Sequence, residues 1–69
     1  MTATLARKHV RFAARGERFH LVGKDKRSRV NFHFEHGTYS IEVAKNGGAT
    51  IWASQNPQQV ADHLREVAL

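Results

Sequence analysis

The chain has 69 residues, enough for one domain with a small apolar core but too few for two. It contains no cysteine, which excludes disulfides and thiolate metal sites, and it has no apolar run of membrane-spanning length. With no hydrophobic leader segment near its start, the chain is expected to be cytoplasmic. We therefore predict one small basic α+β domain over residues 1–69. Its stability rests on its core or on a second copy, so a homodimer is one alternative.

The positive charge is concentrated in the first part of the chain. Nine of the eleven Lys and Arg residues lie in residues 1–29, where only Glu17 and Asp25 oppose them, which gives a net charge of +7. Residues 30–69 carry a net charge of −2. This asymmetry favours a surface that faces a polyanion over a uniformly solvated one.

The first third of the chain fits two interpretations. Val10, Phe12 and Ala14 alternate as in a strand, with a turn at residues 15–17. Alternatively, Ala6, Val10 and Ala13 share one face of a helix that Thr4 caps at its start and Gly16 at its end. We favour a strand over residues 8–14, because the run His-Val-Arg-Phe is typical of strands.

A second strand is predicted over residues 18–22, followed by an exposed basic loop. The strand has the sequence Arg-Phe-His-Leu-Val. The loop, residues 23–29, is Gly-Lys-Asp-Lys-Arg-Ser-Arg and holds four cations within six residues. The predicted strands 8–14 and 18–22 form a hairpin, and Arg11, Arg15 and Arg18 are expected to flank the end of it that lies opposite this loop.

Residues 30–44 alternate between apolar and polar positions, which predicts a β-hairpin around His36-Gly37. That two-residue loop gives the opposed pairs Phe34:Tyr39, Phe32:Ile41 and Val30:Val43. Each pair is apolar and lies on one face. His36 takes a positive φ in the type I′ turn that such a loop needs.

Asn46-Gly47 predicts a second hairpin, whose loop length decides the position of Trp52. A two-residue loop pairs Ile41 with Trp52 and buries the indole. A three-residue loop that includes Gly48 pairs Val43 with Ile51 and turns Trp52 to the polar face. We favour the buried position, because burying an indole is worth more than burying Ile51.

A C-terminal amphipathic helix is predicted after residue 55. Asn56 is a favourable N-cap, Pro57 fits the first helical position, and Gln59 stands where a capping box places Gln or Glu. The apolar stripe of this helix consists of Val60, Ala61, Leu64, Val67 and Ala68. Together these elements predict an α+β fold with an antiparallel β-meander of three to five strands followed by one C-terminal helix.

Residues 39–69 resemble the C-terminal half of a double-stranded-RNA-binding domain, which also runs strand, turn, strand, helix. The helix of that family begins with a lysine-rich phosphate clamp, whereas the matching stretch here, residues 56–61, is Asn-Pro-Gln-Gln-Val-Ala. The resemblance therefore implies no function for this chain. A three-stranded sheet with one helix is also similar to the arm-site-binding domains of phage-type integrases, in architecture alone.

No motif for catalysis or for a cofactor is present. The five histidines lack the spacing of zinc ligands, and no serine lies in a nucleophile elbow. Gly47-Gly48 lacks the neighbours of a phosphate-binding loop and predicts a turn. We expect a protein that is not an enzyme and holds neither a metal nor a cofactor.

The basic cluster remains as the candidate site. We predict a small nucleic-acid-binding or regulatory accessory protein that contacts the phosphate backbone of DNA or RNA. The alternative is a small phage or mobile-element protein that inhibits a host protein by docking on it. The predicted nucleic-acid-binding residues are Arg11, Arg15, Arg18, Lys24, Lys26, Arg27, Arg29, Asn31 and His33. A polar sheet face holding Arg11, His20, Asn31 and His33 is expected to reach the base edges.

Overall fold

The computed structural model describes all 69 residues and contains two helices and four strands. In chain order these are α1 (Ala3–Ala14), β1 (Phe19–Val22), β2 (Arg29–Glu35), β3 (Thr38–Lys45), β4 (Gly48–Ser54) and α2 (Pro57–Val67). The strands form one antiparallel sheet in the order β1-β2-β3-β4. Both helices pack on the same face of it, and we call the uncovered face the open face.

The predicted meander with a single C-terminal helix is wrong at its start, because residues 3–14 form a helix instead of a strand. Thr2 caps this helix by accepting a hydrogen bond from the N–H of Leu5 at 3.1 Å, so the cap is not Thr4. At the other end Gly16 has a φ of +106° and Glu17 donates its N–H to the carbonyl of Phe12 at 3.2 Å. These are the features of a Schellman motif, which ends a helix at a glycine.

Tertiary packing accounts for the helix. Ala6, Val10 and Ala13 are buried on one side of α1, against α2. The small side chains of Ala6 and Ala13, with Ala61 on α2, allow the two helices to approach closely. Alanine also has the highest helix propensity, so local preference and packing favour the same structure here.

The two hairpins follow the predicted registers. Phe34 pairs with Tyr39, Phe32 with Ile41 and Val30 with Val43, and His36 has a φ of +54°. In the second hairpin Ile41 pairs with Trp52 across the two-residue loop Asn46-Gly47. The registers and the positive φ of His36 are confirmed. Trp52 lies on the core side as predicted but is only partly buried, and it stacks on His63 with 4.2 Å between ring centroids.

Helix α2 begins at Pro57 with Asn56 as its N-cap, as predicted, but the predicted capping box does not form. The side chain of Asn56 accepts hydrogen bonds from the N–H groups of Gln58 and Gln59. Gln59 does not complete a capping box, because its side-chain oxygen accepts a hydrogen bond from the hydroxyl of Ser54 at 3.1 Å. Val60, Ala61 and Leu64 are buried, so the predicted stripe faces the core.

The residues after α2 bond to the end of β1. The N–H of Leu69 donates to the carbonyl of Val22 at 2.9 Å, and the N–H of Lys24 donates to the carbonyl of Val67 at 2.8 Å. Ala68 forms an antiparallel bridge with Gly23. The edge of the sheet at β1 is therefore partly occupied by the chain itself.

Candidate nucleic-acid interface

The outer face of α1 and its C-cap hold four exposed cations, which are Arg7, Lys8 and Arg11 in the helix and Arg15 at the C-cap. At 3.6 residues per turn they fall within an arc of about 100° on the side of α1 away from Ala6 and Ala13, with Arg7 at the border beside the buried Val10. Arg7, Arg11 and Arg15 follow one another at intervals of four, so they form a row about 12 Å long. We call these four side chains the α1 basic face.

No carboxylate neutralises the α1 basic face. The helix contains no Asp or Glu, and none of its four cations forms an ion pair. Phe12 orients two of them: the Lys8 ammonium lies 5.9 Å, and the Arg15 guanidinium 5.7 Å, from the centre of its ring. Such cation–π contacts leave the charges free to meet an external anion.

A second group of cations lies in the loop between β1 and β2. Lys24, Lys26 and Arg27 are exposed there, and Arg29 begins β2. The turn between β3 and β4 lies beside this loop, where the Lys45 ammonium is 3.2 Å from the Asp25 carboxylate. This group is separated along the chain from the α1 basic face by all of β1, and it includes a carboxylate at its centre.

Asp25 holds the loop in its shape. One carboxylate oxygen accepts hydrogen bonds from the N–H groups of Arg27 at 2.9 Å and Ser28 at 2.8 Å, and the other accepts from the Ser28 hydroxyl at 2.7 Å. The bonds from Ser28, followed by those from Arg27 and Lys45, hold the pKa of Asp25 well below its ordinary value. The loop cations are therefore presented on a defined backbone at neutral pH.

Asp25→Asn is expected to lower the melting temperature at neutral pH, because the amide keeps one acceptor oxygen for the N–H groups of Arg27 and Ser28, whereas its NH2 group cannot accept from the Ser28 hydroxyl or pair with Lys45. Since the folded-state pKa is depressed, the stabilisation is present above the unfolded value of about 3.9 and is lost as the pH falls below it. Melting curves between pH 7 and pH 2 should show a shallower acid decline for the variant. Glu17→Gln removes a carboxylate without an ion pair and is the control. Equal acid declines for wild type and Asp25→Asn would contradict this role.

The open face carries the remaining predicted residues and is mixed in charge. Asn31 lies between His20 and Glu42: its oxygen is 2.8 Å from His20 Nδ1, and its amide donates to the Glu42 carboxylate at 2.9 Å. Arg18 donates to the Glu35 carboxylate at 2.7 Å, and His33 lies 3.8 Å from the same oxygen. These side chains are engaged with one another beside two carboxylates.

The structure therefore distributes the predicted site residues over three places. Arg11 and Arg15 lie on α1, so the predictions that Arg11 is on the polar sheet face and that both flank a first hairpin are wrong. Lys24, Lys26, Arg27 and Arg29 lie together at the loop. Arg18, Asn31 and His33 lie at the open face.

Arg7 and Lys8 were missed by the sequence prediction because residues 8–14 were assigned to a strand. Once the segment is helical, the i, i+4 spacing identifies Arg7 as a neighbour of Arg11, and the i, i+3 spacing does the same for Lys8.

Comparisons with other proteins leave the function to be argued from these features alone. No protein-family model, curated protein or solved structure matches the chain. Neither helix has the length and apolar character needed to cross a membrane. No three His, Asp or Glu side chains converge into a metal-binding group.

Proposed function

We propose that this protein is a small non-enzymatic nucleic-acid-binding or regulatory accessory protein that binds the phosphate backbone through the α1 basic face. One observation carries the proposal: four exposed cations lie on one side of a rigid helix with no carboxylate among them. We also propose a cytoplasmic location, in keeping with the absence of cysteine.

The chemistry of the α1 basic face suits phosphates. Three of the four cations are arginines, whose planar guanidinium donates two parallel hydrogen bonds to one phosphate. The helix fixes their spacing before binding, so little backbone entropy is lost in the complex. Association releases counterions from the nucleic acid, which supplies affinity without reading the base sequence.

The cleft between the helices extends this surface. Arg7 and Arg11 line it on α1, opposite Pro57 and Gln58 in the first turn of α2. The N-terminal end of a helix carries a partial positive charge, which adds to that of the two guanidiniums. A phosphate strand that follows the row from Arg15 to Arg7 would meet three guanidiniums in succession and then the first turn of α2.

Salt dependence tests the proposal. Fluorescence anisotropy with labelled duplex DNA, duplex RNA and single strands should show binding that weakens as the salt concentration rises. Four phosphate contacts predict a slope of about −3.6 in log K against log[salt], a loss on the order of 100-fold between about 50 and 200 mM salt. Absence of binding at the lower concentration would contradict the proposal.

The second candidate function, docking on a host protein, rests on the uncovered open face, which exposes Val22 and Ile51. An apolar protein interface persists at moderate salt, whereas phosphate binding is lost. Retention of a protein target at the higher salt concentration, together with no affinity for nucleic acid, would favour this function.

A further inference from the structure

The two edges of the sheet are protected to different degrees. Strand β1 is four residues long, and Ala68 and Leu69 bond to its end. Strand β4 is seven residues long and nothing covers its outer edge. Natural edge strands are usually shielded by charges, prolines, bulges or short length, and β4 has none of these.

Strand β4 itself carries no charged side chain, and its charged neighbours in the sheet are Glu42, opposite Ile51 on β3, and Lys45, opposite Gly48. Between Lys45 and Asp62 no residue is charged, in a chain whose net charge is +5. In a symmetric dimer each surface meets its own copy, so a surface whose charges share one sign is repelled by its counterpart. Strand β1 also lacks charged side chains other than a histidine, but it is short and lies between Arg18 and Lys24, so β4 is the longer uncharged edge at which two copies of this basic chain can meet.

The hydrogen-bonding groups of β4 alternate in direction. Lys45 and Gly48 pair across the two-residue turn, which places Gly48, Thr50, Trp52 and Ser54 in bonded pairs with β3. Ala49, Ile51 and Ala53 consequently direct their N–H and C=O groups away from the sheet. Their side chains lie on the open face, and Ile51 is 70% exposed.

We infer that two copies of this chain pair antiparallel through β4, with the two-fold axis at Ile51, to form one eight-stranded sheet. Ile51 is the midpoint of Gly48–Ser54, so this register overlaps the full length of both strands. It places Ile51 opposite Ile51 of the second copy and Ala49 opposite Ala53. All three outward-bonding residues then exchange hydrogen bonds, and the facing side chains are apolar.

The assembly closes at two copies. Pairing through the same edge of each copy consumes both β4 edges, as an isologous interface does. The outer edges of the eight-stranded sheet are then the two β1 strands. Each is short, and the end of its edge is occupied by Ala68, which bridges to Gly23, and Leu69, which bonds to Val22. A dimer is the expected end state, without growth into fibres.

Light scattering and sedimentation velocity on the full chain over a concentration series test the pairing. The wild type is expected to be dimeric at high concentration. Ile51→Lys places two ammonium groups together at the axis and is expected to weaken dimerisation by about 100-fold. Circular dichroism of this variant should match the wild type, because Ile51 is exposed.

Val22→Lys is the matched control, since Val22 is also on the open face and 54% exposed, but on β1. It should remain dimeric. If it dissociates together with Ile51→Lys, the copies stack through their open faces and the edge pairing is overturned. A wild type that is monomeric at every concentration would also overturn the β4 pairing. The β4 edge would then be available to pair with a strand of another protein.

Cross-linking tests the register, because the chain has no cysteine of its own. Opposed residues of a bonded antiparallel pair have Cα atoms about 5.5 Å apart, within disulfide range. Ile51→Cys is expected to form a disulfide-linked dimer under mild oxidation, whereas Val22→Cys is not. Ala49→Cys should cross-link with Ala53→Cys in a mixture and not with itself; the reverse result would overturn the register.

Since a monomer retains the α1 basic face, nucleic-acid binding by a monomeric wild type would separate the two proposals.

Discussion

Replacement of Arg7, Arg11 and Arg15 by glutamine is expected to remove most of the affinity for nucleic acid. The three arginines form the row along the outer face of α1, and none is held by a carboxylate. Loss of three phosphate contacts should change the slope of log K against log[salt] from about −3.6 to about −0.9. Glutamine is nearly as good a helix former as arginine, so α1 should be preserved.

The matched control removes the same charge from the loop. Lys24→Gln, Lys26→Gln and Arg27→Gln together lower the net charge by the same three units, at a group of cations that surrounds Asp25. This variant should retain most of the slope if α1 is the interface. Equal losses in both triple variants would indicate a response to net charge alone and would contradict the assignment to α1.

Phe32→Ala is expected to have the largest effect on stability. The ring is 1% exposed and lies between Phe19 and Tyr39, with centroid distances of 6.1 and 6.2 Å. Truncation of a buried phenylalanine costs about 3–5 kcal/mol, since it removes apolar burial and leaves a cavity. A domain of this length has about 3–10 kcal/mol of stability, so much of it should be lost.

Chemical denaturation measures this loss, with Phe34→Ala as the control on the same strand. Phe34 packs on Tyr39 at 4.5 Å but is only partly buried, so its truncation should cost less. If both variants lose the same free energy of unfolding, Phe32 is not at the centre of the core.

The second half of the fold could be predicted because each of its elements is determined locally. The register of the hairpin between β2 and β3 follows from three apolar pairs around His36-Gly37. A shift by one residue would turn all of these side chains to solvent. Asn46-Gly47 specifies a two-residue turn, and this in turn places Trp52 on the core side. Asn56 and Pro57 determine where α2 begins.

The first element could not be predicted because its sequence is compatible with two periods. Val10 and Phe12 alternate as in a strand, but Val10 is buried against α2 and Phe12 lies beneath Lys8 and Arg15. The helix that provides the packing surface lies at the other end of the chain, so no local window contains the deciding contact. Tertiary packing overrode the local alternation.

This error also displaced the candidate site. The charge asymmetry of the sequence indicated an anion-binding surface in residues 1–29, but in a strand Arg7 and Lys8 fall on opposite faces and form no group. A strand would also place Arg7, Arg11 and Arg15 on one face, but only the helix brings Lys8 to the same side and spaces successive arginines about 6 Å apart. For Arg18, the partner Glu35 comes from a different strand and could not be read from the local sequence.

The packing of α1 on α2 has a consequence for synthesis. A twelve-residue helix is marginal by itself in water, and the partner of α1 is made after all four strands. The first helix therefore leaves the ribosome well before α2 exists to shelter Ala6, Val10 and Ala13. We therefore expect α1 to acquire its stable packing only after α2 has left the exit tunnel.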